Sequence, residues 1–168
     1  MPQHHPHLRA HCTLPSPLGP MLATATDQGL AGLFFDAQAH HPGPTTGPED
    51  PAHPVLRAAA QALAAYFDGE AEPLRRVALD LHGTAFQQAV WRALQTLPRG
   101  HTCSYGQIAA LAGAPAAVRA TGAAIGRNPV GILVPCHRVL GRDGTLTGYA
   151  GGLHRKQALL QLEGVLLL

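Results

Sequence analysis

Residues 104–126 constrain this chain more than any other stretch. Ser104 with Gln107 is a capping-box pattern, so a short helix should carry Tyr105 in its first turn and end at Leu111. Gly113 and Ala114 make a tight turn. Pro115 then opens a second helix built from Ala117, Val118, Ala120, Ala123 and Ile125 and closed by Gly126. Two short helices about a tight turn form a helix-turn-helix pattern over about 104–126. The second helix is slim, with Ala116, Ala117, Ala120, Gly122, Ala123 and Ala124 in a row and one long cation, Arg119, among them. A helix this thin can approach another surface closely, whether a neighbouring helix or a nucleic-acid groove. It offers few side chains for reading base edges, which disfavours a major-groove regulator.

The rest of the chain divides around this feature. Upstream, Thr84 with Gln87 starts a helix whose Phe86, Val90, Trp91 and Leu94 share one face, with Trp91 in the core and Pro98 to Gly100 as the stop. The first half reads as a small α/β piece. Residues 22–26 and 30–35 are strand candidates about Asp27-Gln28-Gly29, and 77–81 is a third. Five prolines make 40–54 a loop, and Pro54 opens a helix running through Tyr66 and Phe67 to Gly69. The expected division is 1–80 and 81–168. The fold class is α+β, a small α/β domain followed by a mostly helical one.

Charge follows the same division. The chain has a net charge of +2, but residues 1–79 hold four Arg or Lys against seven Asp or Glu, and residues 80–168 hold eight against three. The second half therefore has the character that faces a polyanion, although eight cations do not prove nucleic-acid binding. No stretch is long and apolar enough to span a bilayer, and the His-rich start lacks an apolar signal core. Three separated cysteines fit a reduced, cytoplasmic setting better than a disulfide framework. Cys12 with His4, His5, His7 and His11 is too loosely spaced for a tetrahedral zinc set, so no metal is expected.

The chemistry concentrates in Val134-Pro135-Cys136-His137-Arg138-Val139, where a cysteine stands beside a base and a cation. Taken alone the hexapeptide also fits a buried strand with an inert thiol. It is one of several motifs in fixed order: Ser104-Tyr105-Gly106-Gln107, Arg119, Asn128-Pro129, Pro135-Cys136-His137-Arg138, Gly148-Tyr149-Ala150-Gly151-Gly152 and Glu163-Gly164. This set resembles the O6-alkylguanine-DNA alkyltransferase family, from about residue 84 to 164. The first half resembles the family's amino-terminal domain loosely, through Ser16-Pro17-Leu18-Gly19 and Asp27-Gln28-Gly29-Leu30.

The resemblance implies a ribonuclease H-like first domain, a winged-helix-like second domain and a repair activity. An alkyl group, usually methyl, passes from O6-alkylguanine in duplex DNA to Cys136 and stays there, in a single turnover without a cofactor. O4-alkylthymine is a second candidate substrate. His137 is implied as the base acting through a water, Glu163 as its orienting carboxylate, and Asn128 as the brace of the turn before the active-site strand. Arg119 is implied to fill the space left by the flipped base. Tyr105 is implied to rotate the nucleotide and donate to the leaving guanine. Ser104, Ala116, Ala117 and Gly122 would lie along the DNA, while Val139, Tyr149, Ala150 and Lys156 would form the pocket. Lys156 could alternatively be a solvated helix residue. A monomer is expected, with no membrane partner.

The rival readings are a lesion-binding relative without transfer chemistry, which the presence of Cys136 argues against, a helix-turn-helix regulator, and a cysteine hydrolase. The adjacent His137 is poorly placed to bond Cys136 directly, which weighs against the last.

Overall fold

The computed structural model describes residues 7–45 and 47–165. His4 and His5 lie outside the described residues. The described residues divide into two compact units, one up to His82 and one from Gly83.

The first unit is built on an antiparallel meander of β1 (Ala10–Leu14), β2 (Met21–Ala25) and β3 (Leu30–Phe35). Ala10 pairs with Ala25 and Leu14 with Met21 across the first junction, and Met21 pairs with Phe35 across the second. Helix α1 (Pro54–Phe67) begins with proline in its first turn and buries Leu56, Ala59, Leu63 and Tyr66. A four-residue helix α2 (Glu72–Arg75) follows. The strand expected at 77–81 reduces to a single parallel bridge between Leu30 and Leu79. The side chain of Asp80 instead accepts a hydrogen bond from Thr26 Oγ1, so the segment is tied down by side chains as well as by the backbone.

The second unit is mostly helical. Both capping boxes form. The Thr84 hydroxyl accepts from the Gln87 amide at the start of α3 (Ala85–Gln95), and the Ser104 hydroxyl accepts from the Gln107 amide at the start of α4 (Tyr105–Leu111). Gly113, at φ 82°, supplies the left-handed residue that the inter-helix turn needs. Helix α5 (Val118–Gly126) starts three residues later than Pro115 implied. Pro115 belongs to the turn, where the Ala117 amide donates back to the Ala114 carbonyl. Trp91 is 1% exposed and its Nε1 donates to the Ala124 carbonyl at 2.9 Å, pinning α5 onto α3.

Two short parallel strands complete the unit, β4 (Cys103–Ser104) beside β5 (Val139–Leu140). Their register, Cys103 with Val139 and Ser104 with Leu140, holds the first turn of α4 beside the Cys136 segment. A helix, α6 (Leu153–Leu162), then brings Glu163 back toward that segment. Among the described residues no helix is long and apolar enough to cross a membrane.

Candidate active site

Cys136, His137 and Arg138 form one turn of 3-10 helix between Pro135 and β5, where a strand had been expected. Pro135 has no N–H to donate, and the Arg138 amide closes the turn on the Pro135 carbonyl. All three residues of the turn are buried, with His137 at 0% exposure.

Asn128 organises the sulfur. Its Nδ2 donates to the Val134 carbonyl at 2.7 Å and to Cys136 Sγ at 3.1 Å, and its Oδ1 accepts from the Val130 amide at 3.0 Å. One side chain thus ties the turn after α5 to the sulfur itself. Burial pushes the Cys136 thiol above its ordinary pKa, and the Asn128 hydrogen bond and the nearby Lys156 charge oppose that rise. The resting group is a protonated thiol with a donor already aimed at the sulfur, ready to stabilise a thiolate.

The imidazole sits one residue on. His137 Nε2 lies 2.7 Å from Glu163 Oε2, with both side chains fully buried. Burial lowers the imidazole pKa below its ordinary value, and the bond to Glu163 partly offsets this. The ring is therefore neutral near pH 7. Donation from Nε2 to the carboxylate places the lone pair on Nδ1, a buried atom without a hydrogen-bond partner among the described residues. Glu163 also accepts from Arg138, Nε to Oε1 at 2.7 Å and Nη2 to Oε2 at 3.0 Å, while Arg138 Nη1 donates to the Leu97 carbonyl. Arg138, the cation beside the cysteine in the hexapeptide, thus directs its guanidinium to Glu163 and the Leu97 carbonyl.

Two further groups close the site. Tyr105 Oη lies 2.9 Å from Thr147 Oγ1, and Lys156 Nζ donates to the Thr147 carbonyl at 3.0 Å. Lys156 is 0% exposed, so the solvated alternative is wrong. Its burial lowers its pKa from 10.5 to about 8, which a Cys136 thiolate would oppose. Below about pH 8 the folded protein must hold a desolvated ammonium, and that penalty fades as the pH rises toward the unfolded value. Wild-type stability relative to Lys156→Met is therefore expected to increase between about pH 8 and 10.5, on the order of 3 kcal/mol. Urea melts of both proteins across that range check it, and a pH-independent difference would refute it.

The other residues singled out from the sequence are placed as follows. Ser104 caps α4. Gly122 faces the Tyr105 ring, and a Cβ there would stand 3.6 Å from it, an ordinary contact. Arg119 and Ala116 are exposed, and Ala117 is half-buried. Val139 is buried, and Tyr149 and Ala150 are half-buried. The Cys136 carbonyl already accepts from the Val139 amide. Cys103 is half-buried and Cys12 is buried in the other unit. Among the described residues no cluster of three or more His, Cys, Asp or Glu is arranged to hold a metal ion.

Comparison with known proteins assigns both units. Residues 85–165 match the DNA-binding domain of 6-O-methylguanine DNA methyltransferase, and residues 11–81 match its ribonuclease-like domain. The methylated-DNA–protein-cysteine methyltransferase of Mycobacterium tuberculosis is 49% identical over 90% of each chain. That of Haemophilus influenzae is 42% identical over 90% of this chain and 84% of the relative. The chain belongs to the 6-O-methylguanine DNA methyltransferase family.

The crystal structure of the Mycobacterium tuberculosis methyltransferase in complex with DNA overlays this methyltransferase-family chain with a TM-score of 0.79. Identity is 45%, with 92% of each chain covered. The Pyrococcus kodakaraensis O6-methylguanine-DNA methyltransferase shares the fold at 22% identity and a TM-score of 0.53. The mixed α/β first unit and helical DNA-binding second unit expected from sequence are the architecture found.

Proposed function

We propose that this protein repairs DNA by direct transfer of an alkyl group, methyl above all, from O6-alkylguanine to Cys136. The observation that carries this reading is the buried Glu163–His137 pair beside a cysteine whose sulfur already accepts from Asn128. A neutral imidazole with a free Nδ1 can take the thiol proton through one bridging water, and Glu163 stabilises the imidazolium that results. Asn128 and Lys156 then meet the charge on sulfur. The thiolate attacks the alkyl carbon in line, the carbon–oxygen bond breaks, and its electron pair leaves with guanine. Tyr105 donates a hydrogen bond to the departing base. The product is a thioether, which nothing in this mechanism cleaves, so each molecule acts once and no cofactor takes part.

The target atom is reached only when the base leaves the stack. Helix α5 suits a groove because its outward face is small: Ala120 and Ala123 are exposed beside Arg119, and internal packing does not demand the glycines. A Cβ at Gly126 would meet nothing within 4 Å. Arg119 is the group to enter the vacated space, where a guanidinium can stack and hydrogen-bond the orphaned partner. Ser104, Ala116, Ala117 and Gly122 line the approach, and Val139, Tyr149 and Ala150 wall the pocket. The exposed pyrimidine oxygen of O4-alkylthymine offers the same chemistry. The protein acts as a monomer in the cytoplasm.

Intact mass tests the reading. Mixed with a duplex carrying one O6-methylguanine, the protein should gain roughly 14 Da, stoichiometrically and on the peptide containing Cys136. Tight lesion binding without a mass change would instead favour a lesion-flagging protein.

A further inference from the structure

We propose that Thr147 is a positioning residue for the transfer step, its hydroxyl donating to Tyr105 Oη so that the phenolic proton is left for the departing guanine. This rests on the role given to Tyr105 above. The two hydroxyls are 2.9 Å apart across 42 positions of sequence, and each is held from its own side. Tyr105 is fixed by the Ser104 cap and by the register of β4 with β5. Thr147 is fixed by its carbonyl, which accepts from the Nζ of fully buried Lys156 at 3.0 Å. The grip on the backbone leaves Thr147 Oγ1 free to serve the phenol.

A phenol has one proton to give and lone pairs to receive with. Once that proton points at guanine, the phenolic oxygen needs a donor, and Thr147 Oγ1 is in place to be one. Donors in series polarise one another, so the Tyr105 hydroxyl becomes a better donor as negative charge appears on the base. The balance is that of the transfer itself. The sulfur–carbon bond forms, the carbon–O6 bond breaks with its electron pair going to guanine, and the thiol proton rests on His137. The guanine charge is met by the hydrogen bond from Tyr105. The pair of hydroxyls adds no reactant.

The test compares Thr147→Val, which keeps the shape but removes the hydroxyl, with Thr147→Ser, which keeps the hydroxyl. The readout is the single-turnover rate of methyl transfer at saturating protein on an O6-methylguanine duplex. Thr147→Val should be slower by about tenfold, with duplex affinity within about twofold and Thr147→Ser close to wild type. In a Tyr105→Phe background the Thr147→Val change should cost nothing further, because the bond it removes no longer exists. Wild-type speed in Thr147→Val, or an equal loss with and without the Tyr105 hydroxyl, would overturn the proposal. Failure of wild-type protein to methylate Cys136 would overturn the transferase reading instead, and wild-type speed in Tyr105→Phe would overturn the role of Tyr105.

Discussion

Cys136→Ala protein will bind a duplex carrying O6-methylguanine and leave the lesion unrepaired, with no methyl gained anywhere on the chain. Three thiols are present, so the outcome is not trivial. Cys12 is buried, and desolvation, then Glu49 and Asp50, push its thiol upward. Cys103 is likewise raised by desolvation. Among the described residues, a side-chain donor reaches the sulfur only at Cys136, and only there does a neutral imidazole follow in the chain. Removing Sγ leaves Asn128 Nδ2 its bond to the Val134 carbonyl, so the turn that follows α5 should keep its shape. Binding should therefore stay within a few-fold of wild type while transfer disappears. Mass spectrometry after prolonged incubation, paired with a salt-controlled binding titration, checks both halves. A stoichiometric methyl on Cys103 or Cys12 would sink the assignment of the acceptor.

Glu163→Gln should be the most damaging change that keeps the cysteine. The carboxylate accepts hydrogen bonds from His137 and, twice, from Arg138, in a fully buried setting. An amide presents one oxygen and one NH2 to three donors. Arg138 is then left as a buried cation without its counter-charge, a loss of about 3–5 kcal/mol from a total that rarely exceeds about 15. The chemistry suffers separately. An NH2 group facing Nε2 favours the tautomer with its proton on Nδ1, the atom proposed to take the thiol proton. Single-turnover transfer should fall by about 10² to 10⁴ even at temperatures where the variant remains folded. Urea denaturation and rapid-quench mass analysis on one preparation separate the two effects. Wild-type stability together with wild-type rate would contradict the arrangement.

Much of the second unit was legible because its signals are local. The Thr84 and Ser104 caps, the Trp91 face and the Gly113 turn each depend on neighbours within four residues, and each lies where the sequence puts it. Helix α6 was harder. Its buried face holds Lys156 with Leu159 and Leu160, so a lysine interrupts the apolar period that marks a helix. The strand β1 hid for a similar reason. Ala10, Cys12 and Leu14 alternate inward, but the surrounding histidines resemble a polar tail. At 77–81 the mostly apolar run predicts a strand, whereas the backbone there makes one bridge and a side chain does part of the tethering. The sharpest limit concerns the site. His137 and Glu163 stand 26 positions apart, and Tyr105 and Thr147 stand 42 apart. No periodicity predicts such meetings, so resemblance alone paired the first two, and the second pair went unnoticed.

Trp91 has a practical consequence. It is the one tryptophan in the chain, enclosed in the second unit, with its indole N–H held by the carbonyl of Ala124 near the end of α5. Excitation at the red edge of the protein band therefore illuminates a single address. Emission colour and quenching report on the seam between α3 and α5, without an introduced dye. Any event that loosens the indole from Ala124 will reach the detector as a shift of that one band, with no second indole to dilute it.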